Sequence, residues 1–330
     1  MKVLSFGEIM LRLTPPGNKR LTQALSFDIE YGGSESNVAI SLAQFGIDSQ
    51  YITRLPENEL GQAALYALAR YKVGIDACIR GGDRLGIYFL EMGAGKRSSK
   101  VTYDRAHSGM ATLAPGMIDW AKACAGAGWF HWSGITPGIS RSAAEATVEA
   151  IQSADKQGLT ISCDLNYRSA LWKYGSAPRD IMPQMVEHCS VLQGDPSAFE
   201  LYFDIRAQDP HELLAAVQAR FPRLRYLTMS SRQGLSASHN VYRGYLHTEG
   251  QTLVSQEHSL PDILDRIGSG DAFMAGLIYG IVQGKAPEQT LEFAAAAAAW
   301  KHYVHGDINL ASIAEIEALA AGNTGGRVLR

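Results

Sequence analysis

Short apolar runs alternate with longer helical patterns along most of the chain. Apolar runs bounded by turn residues are typical of buried strands, and apolar positions at helical spacing between them indicate covering helices. This alternation of βαβ units predicts an α/β fold with a mostly parallel sheet. The predicted strands are Val3–Phe6, Tyr51–Arg54, Trp129–Trp132, Thr160–Asp164, Val191–Gln193 and Leu224–Met229. The predicted helices are Ser36–Phe45, Glu59–Tyr71, Ala143–Gln157, Pro210–Arg220, Asp271–Gln283 and Pro287–Val304.

Two stretches interrupt this alternation, Met10–Tyr31 and Arg84–Tyr103, and both have the pattern of β structure. A helical unit separates them in sequence, so a small domain built from both must be discontinuous. We therefore predict a single domain over the whole chain, 1–330, with a β-sheet lid formed by about 10–34 and 84–105.

Two low-complexity features carry no chemistry. Six consecutive alanines, Ala294–Ala299, have strong helix propensity and predict close packing of one helix against another. The glycine-rich tail, 322–326, is predicted to fray.

Composition narrows the range of partners. The chain has 30 basic and 33 acidic residues, a formal charge of −3, and no long basic run, so binding to nucleic acid is not expected. The longest uncharged stretch, 123–140, contains several glycines and a proline, which excludes a membrane helix. Four cysteines without a C-x-x-C pair predict buried reduced thiols. With no signal peptide at the start of the chain, we predict a cytoplasmic protein.

The clearest chemical signal lies within Leu264–Gly276. Gly268, Ser269 and Gly270 directly precede an apolar helix, so their backbone N–H groups can face an anion at the positive end of the helix dipole. The same amides and dipole are predicted to favour the ionised form of Asp271, which could then accept a proton beside them. A simple N-cap explains Asp271 equally well at this point.

Two other places could bind a ligand. Gly32 and Gly33 precede a predicted helix and allow a small polar ligand near the backbone, with Asn37 placed to hydrogen-bond a hydroxyl; a tight turn explains the pair equally well. Arg168 follows a predicted strand, at the edge where open α/β sheets bind ligands, and Arg105 ends a predicted lid strand. Two arginines in one cleft would favour an anionic substrate, although each alone is more often a surface ion pair.

Together, and in this order, the motifs resemble the PfkB/ribokinase family of carbohydrate kinases over nearly the whole chain. Gly32 and Gly33 with Asn37 are similar to the family's N-terminal signature. Asp265–Phe273 is similar to its C-terminal signature, D-x-x-G-A-G-D-x-F, with Ser269 in place of alanine. Three segments between these signatures most resemble 2-keto-3-deoxygluconate kinases: Tyr103–Arg105, His131–Pro137 and Asp164–Arg168.

The resemblance implies a ribokinase-like, Rossmann-type three-layer αβα core and a β-sheet lid that mediates dimerisation. It also implies transfer of the ATP γ-phosphate to a sugar hydroxyl, with Mg²⁺ as a cofactor. It leaves open whether the reaction also needs a monovalent cation. The catalytic residues would be Asp271 as base and Gly268, Ser269 and Gly270 as anion hole. The sugar-acid pocket would comprise Gly32, Gly33, Asn37, Tyr88, Tyr103, Arg105, Arg168 and Asp307, with the arginines recognising charge. The nucleotide side would comprise Asn166, Gly234 and the loop Ser230–Gln233, including Ser231, next to the turn 268–270.

The sequence departs from the family pattern at three places. Asp195–Ala198 stands where the family has N-x-x-E, so the protein ligands of Mg²⁺ stay unassigned. Ser231 replaces a glycine, and the alanine run replaces a region where relatives place an adenine-contacting Asn.

The expected activity is phosphorylation of 2-keto-3-deoxygluconate to its 6-phosphate by a homo-oligomer joined through the lid. One alternative is a kinase of another ketose or sugar, such as fructose or tagatose. The other is a sugar-binding sensor that has lost phosphoryl transfer.

Overall fold

A computed structural model describes residues 1–236 and 238–323 of the chain. The prediction that 322–326 frays falls mainly on residues outside this part. The strands, in chain order, are β1 (Lys2–Phe6), β2 (Met10–Thr14), β3 (Asp28–Gly32), β4 (Asp48–Ile52), β5 (Arg54–Leu55), β6 (Ile79–Arg80), β7 (Ile87–Glu91), β8 (Lys100–Asp104), β9 (Trp129–Ser133), β10 (Thr160–Asp164), β11 (Val191–Gly194), β12 (Tyr226–Ser236), β13 (His239–Thr248), β14 (Gln251–Val254) and β15 (His258–Leu260).

Helices connect most of these strands, as the sequence pattern predicts. In chain order they are α1 (Ser34–Gln44), α2 (Glu59–Arg70), α3 (Trp120–Cys124), α4 (Ile135–Ile139), α5 (Arg141–Lys156), α6 (Pro178–Val186), α7 (Pro196–Phe203), α8 (Pro210–Arg220), α9 (Ser269–Val282), α10 (Pro287–Lys301) and α11 (Ile313–Ala320), with a short 3₁₀ turn at Leu21–Gln23. Among the described helices, none is both long and apolar enough to cross a membrane.

The central sheet has nine strands in the order β14-β13-β12-β11-β10-β9-β1-β4, with β15 also paired to β13. From β4 to β12 the neighbours are parallel, whereas β13, β14 and β15 are antiparallel. The sheet is therefore mixed, because β12 continues past Met229, where its predicted end lies, to Ser236 and pairs with β13 as a hairpin. The continuation was missed because its polar residues have the composition of a loop.

Helices cover both faces of the central sheet. Adjacent strand residues point to opposite faces, so Leu4 belongs to the core that includes residues of α3, α5, α6, α7 and α8, whereas Val3 belongs to the core that includes residues of α1, α9, α10 and α11. Two buried cores on the two faces of one sheet make three layers. The predicted α/β class and three-layer αβα core are thus confirmed.

A separate four-stranded sheet has the order β3-β2-β7-β8, and its strands come from both predicted β-rich stretches. In the middle of this small sheet, β2 and β7 are parallel, and the two outer pairs are antiparallel. Met10, Tyr88 and Tyr103 on these strands line a cavity of about 660 Å³, so the small sheet forms one wall of that cavity.

Helices α9 and α10 pack closely beside the cavity. The alanines 294–299 on α10 are all completely buried, which confirms their predicted packing role. Opposite them, a Cβ added at Gly276 would lie 2.8 Å from the Ala294 Cα. Helix α10 ends at Lys301 and not at Val304, and the residues that follow turn back toward the start of α9.

Candidate active site

A cavity of about 660 Å³ opens at the carboxyl ends of β10 and β11, where open α/β sheets bind ligands. The small sheet and the N-terminal ends of α1 and α9 complete its walls. The predicted site residues that line it are Gly33, Asn37, Tyr88, Tyr103, Arg105, Asn166, Arg168, Ser230, Gly268, Ser269, Gly270, Asp271 and Asp307.

Four predicted site residues do not line this cavity: Gly32, Ser231, Gln233 and Gly234. Gly32 instead lies behind the wall, where an added Cβ would meet the Asp307 carboxylate at 2.3 Å. The other three belong to β12, so these residues form part of a strand and not the predicted loop. Because strand residues alternate between faces, Ser230 and Arg232 reach the cavity and Ser231 does not. Arg232 belongs to the predicted stretch Ser230–Gln233, and this alternation singles it out within that stretch.

Asp271 is held by hydrogen bonds from two neighbouring positions on α1. The Ser34 hydroxyl donates to Oδ1 at 2.7 Å, and the Asn37 amide donates to Oδ2 at 2.7 Å. Asn37, predicted to bind a ligand hydroxyl, thus contacts the carboxylate itself. Asp271 is the third residue of α9, and Gly268 precedes the helix, so the N-cap interpretation is wrong. The carboxylate instead faces the cavity beside the first backbone N–H groups of the helix.

Burial raises the pKa of Asp271 above its ordinary value, and the hydrogen bonds from Asn37 and Ser34 act in the opposite direction. The prediction that the helix N-terminus favours the ionised form is therefore incomplete. A helix dipole contributes about 0.3–1 kcal/mol, whereas desolvating a buried ion costs several kcal/mol. Burial outweighs the dipole, and the two hydrogen bonds stabilise the ionised form.

We expect Asn37→Ala to move the acidic limb of the kcat/KM profile upward by about one pH unit. A hydrogen bond to a charged group is worth about 1.5–3 kcal/mol, and one pKa unit is about 1.4 kcal/mol. A base acts only when deprotonated, so a higher pKa requires a higher pH. Ser41→Ala is the matched control, because its buried hydroxyl on the same helix donates to the Asn37 carbonyl and not to Asp271. An acidic limb at the same pH in Asn37→Ala and wild type would contradict this role.

The hydrogen bonds to Asp271 extend to the end of β10. The Asn166 amide donates to the Ser34 hydroxyl at 2.9 Å, and its backbone N–H donates to the Asp164 carboxylate at 3.2 Å. Asn166 has a φ of 35°, a left-handed conformation that Asn tolerates better than most residues. Asn166, predicted for the nucleotide side, is thus linked through Ser34 to Asp271. The sequence analysis missed Ser34 because it assigned ligand binding to the paired glycines directly before it.

The turn before α9 depends on Gly268. Its φ is 82°, and an added Cβ would lie 1.9 Å from the Asp307 carbonyl oxygen. Only glycine fits this position without moving the turn. Gly268, Ser269 and Gly270 all line the cavity, and the first N–H groups of α9 have no partner within the helix.

A buried ionic cluster links the small sheet to this turn. The Arg12 guanidinium donates to Asp307 and to Asp265, in each case at 2.5 Å, and the Tyr88 hydroxyl also donates to Asp307. Asp307 and Tyr88, both predicted to contact the sugar, thus bind each other at the cavity wall. Arg12 was missed, although a lone arginine within the apolar strand Met10–Thr14 is a signal for a buried partner.

The two predicted recognition arginines differ in environment. Arg105 is buried and donates to the Glu8 carboxylate, so its charge is already paired, while its Nε has no partner among the described residues. Arg168 is exposed at the cavity, and its guanidinium donates to the Tyr167 carbonyl at 3.1 Å. Because a carbonyl leaves its charge unneutralised, Arg168 is the better candidate for an anionic ligand.

The residues at the ends of β10 and β11 fit a nucleotide-bound Mg²⁺. The Gln193 amide donates to Asp164 at 3.0 Å, which leaves its buried Oε1 without a partner in the part that the structure describes. Burial raises the pKa of Asp164 to about 8, a carboxyl that a nearby cation would ionise. Mg²⁺ is commonly held by one or two carboxylates together with substrate phosphates and water. Ala198, where the family has Glu, is completely buried in the core and faces away from the cavity.

No cluster of three or more His, Cys, Asp or Glu side chains that could hold a metal ion occurs among the described residues. The oxygens of Asp164, Gln193 and Asp195, all at the cavity, are the groups that would hold Mg²⁺ together with the nucleotide phosphates.

An α/β sheet with a buried carboxylate beside a glycine turn at a helix N-terminus is the arrangement of a phosphoryl-transferring sugar kinase. The chain belongs to the pfkB family of carbohydrate kinases, whose family model matches residues 1–314. The family predicted from the sequence is thus confirmed.

Two relatives and one solved structure are similar to this chain over most of its length. The 2-dehydro-3-deoxygalactonokinase of Haloferax volcanii is 31% identical over 329 residues, 98% of each chain. A fructokinase of Klebsiella pneumoniae is 28% identical over 302 residues, 87% of this chain and 86% of its own. The crystal structure of the Thermotoga maritima 2-dehydro-3-deoxygluconokinase superposes with a TM-score of 0.93 at 41% identity, covering 98% of this chain and all of that one.

Proposed function

We propose that this protein transfers the γ-phosphoryl group of ATP to the terminal hydroxyl of 2-keto-3-deoxygluconate, giving the 6-phosphate. The observation that carries the proposal is the Asp271 carboxylate, buried beside the N–H groups of 268–270 in a cavity that Arg168 also lines. The similarity to kinases of two 2-keto-3-deoxy sugar acids supports this class of substrate.

The chemistry of this site is positioning and charge stabilisation, which supply most of the catalysis in phosphoryl transfer. Asp271 accepts the proton of the sugar hydroxyl while the new oxygen–phosphorus bond forms and the bond to the ADP oxygen breaks. The N–H groups of 268–270 stabilise negative charge on the transferring group. Asp164 and Gln193 would hold Mg²⁺, which when bound would neutralise charge on the phosphates.

Arg168 is proposed to bind the carboxylate of the sugar acid. We expect Arg168→Ala to raise KM for 2-keto-3-deoxygluconate by about 10–100-fold with kcat little changed, since a hydrogen bond to a charged group is worth about 1.5–3 kcal/mol. KM for ATP should stay unchanged in the same ATP-coupled assay. Arg179→Ala, an exposed arginine that does not line the cavity, is the control. Unchanged KM for the keto acid would contradict this assignment.

A panel of sugars tests the substrate. The turn before α9 indicates phosphoryl transfer but does not identify the sugar that is phosphorylated. A kinase of fructose or tagatose is therefore the relevant alternative. The proposal requires the keto acid to have the highest kcat/KM, and equal turnover of neutral fructose would contradict it. The sensor alternative has no observation in its favour, and the hydrogen-bonded Asp271 carboxylate near the glycine turn supports a catalytic role instead.

We further propose that the small sheet acts as a lid and joins two copies of the chain. Three apolar side chains at successive alternate positions beside or on β3 are solvent-exposed: Leu25 by 98%, Phe27 by 37% and Ile29 by 64%. Such an exposed apolar row is typical of an interface.

A cytoplasmic location is proposed as well, supported by four free thiols, three of them buried.

A further inference from the structure

Lys301 is the one buried lysine among the residues that the structure describes, and its side chain is completely inaccessible. Its ammonium donates to the Val304 carbonyl at 2.9 Å and to the Asp265 carbonyl at 3.3 Å. Burying a charge costs several kcal/mol unless it is paired. The phosphoryl transfer described above does not use this group, so its burial needs another explanation.

Charged groups from four parts of the chain surround this ammonium: β2, β3, the segment before α9 and the segment after α10. Burial lowers the pKa of Lys301, while Asp265 and Asp307 raise it; Arg12 lowers it and Glu30 raises it. The Asp265 carboxylate also accepts hydrogen bonds from the Ile267 N–H at 3.0 Å and the Gly306 N–H at 3.2 Å. Asp265 and Lys301 therefore tie the segment 264–270 to the segment 302–307.

These two segments meet at the anion-hole turn. The space for a Gly268 Cβ is filled by the Asp307 carbonyl, so the turn rests directly on the segment 302–307. Any movement of that segment moves Gly268 and the N–H groups after it. A displacement of about 1 Å at a reacting group can cost about 10²-fold in rate. The ammonium thus lies where it fixes the geometry of the turn without touching the substrate.

We propose that Lys301 is a positioning residue whose ammonium serves as a built-in cation beneath the anion-hole turn, so that phosphoryl transfer does not depend on K⁺, Na⁺ or NH₄⁺. Backbone carbonyls, the partners of Lys301, are also the ligands that bind K⁺. A free monovalent cation does not fit beside them, because the ammonium already fills the space and would repel it. The proposal rests on the phosphoryl transfer proposed above.

The first test uses the unaltered enzyme. Turnover of ATP and 2-keto-3-deoxygluconate is measured in KCl, NaCl and choline chloride at equal ionic strength, with Mg²⁺ constant. We expect rates within about twofold of one another, which is less than 0.5 kcal/mol in activation free energy. A tenfold or larger loss in choline chloride would overturn the inference. No turnover of any sugar in any salt would instead overturn the proposed function.

The second test removes the ammonium. We expect Lys301→Ala to lose about 10²-fold in kcat, with KM for the sugar acid little changed. K⁺, NH₄⁺ or methylammonium should raise kcat of Lys301→Ala by at least about tenfold, because these cations can enter the vacated space. Lys301→Met should lose a similar factor without rescue, because its side chain fills that space.

Lys285→Ala is the control, since the Lys285 ammonium pairs with Glu317 on the surface and its loss should leave kcat and its salt dependence unchanged. Melting temperatures are measured for each variant. Full activity of Lys301→Ala, or a loss of activity that no cation restores in a variant that melts as the wild type does, would overturn the inference. If Lys301→Ala does not fold, the salt dependence of the wild type and the activity of Lys301→Met still decide.

Discussion

Replacing Asp271 by Asn is expected to lower kcat by about 10²–10⁴-fold, the usual contribution of a general base. The substitution keeps the size of the side chain and removes its ability to accept the proton of the sugar hydroxyl. Binding of the sugar acid, measured by calorimetry, should be largely kept. The melting temperature should equal or exceed the wild-type value, because burial penalises the ionised carboxylate.

Asp119→Asn is a matched control for this variant. Asp119 accepts a hydrogen bond from the Lys122 N–H at the start of α3, away from the cavity, so its loss should affect stability slightly and turnover not at all. Turnover of Asp271→Asn within about tenfold of the wild type would exclude Asp271 as the base.

Gly268→Ala is expected to reduce kcat by about 10²–10³-fold, the loss found when an anion-stabilising donor is removed. Two features of the position act together. A side chain at a φ of 82° is strained, and its Cβ would overlap the Asp307 carbonyl at 1.9 Å. The turn must move, and the N–H groups of 269 and 270 move with it. The measurement is kcat in the ATP-coupled assay, beside the melting temperature.

Gly284→Ala isolates the backbone strain from the overlap. Gly284 follows the C-terminal end of α9, the helix that Gly268 precedes. Its φ is 66°, and an added Cβ there meets nothing within 4 Å. We expect it to lose about 1–2 kcal/mol of stability and no activity. Equal activity of the two alanine variants would show that the close approach of Gly268 to Asp307 does not shape the site.

The sequence predicted those features that depend on neighbouring residues. The strand–helix alternation yields the three-layer core because each βαβ unit buries its own apolar residues. Gly268 and Asp271 were identified because glycines directly before an apolar helix create an anion site by local geometry alone. The residues of β12 beyond Met229 were assigned to a loop because their polarity hides the alternation of a strand.

Other features depend on residues far apart in the chain. Arg12 and Asp265 are separated by 253 positions, and nothing in the sequence pairs them. Arg105 was expected to recognise charge, but its partner Glu8 lies 97 positions away and already occupies its guanidinium. The bond between Ser34 and Asp271 spans 237 positions. Such pairings arise from the packing of the small sheet and α1 against the central sheet, which local patterns do not encode.

The most direct test of the proposed activity is the product itself. The protein is incubated with ATP, Mg²⁺ and 2-keto-3-deoxygluconate, ADP formation is followed, and the sugar product is identified by phosphorus and carbon NMR. We predict one ADP formed for each sugar consumed, and a single phosphate ester on the terminal hydroxyl. Absence of ADP formation that depends on the keto acid, or phosphate on another hydroxyl, would contradict it.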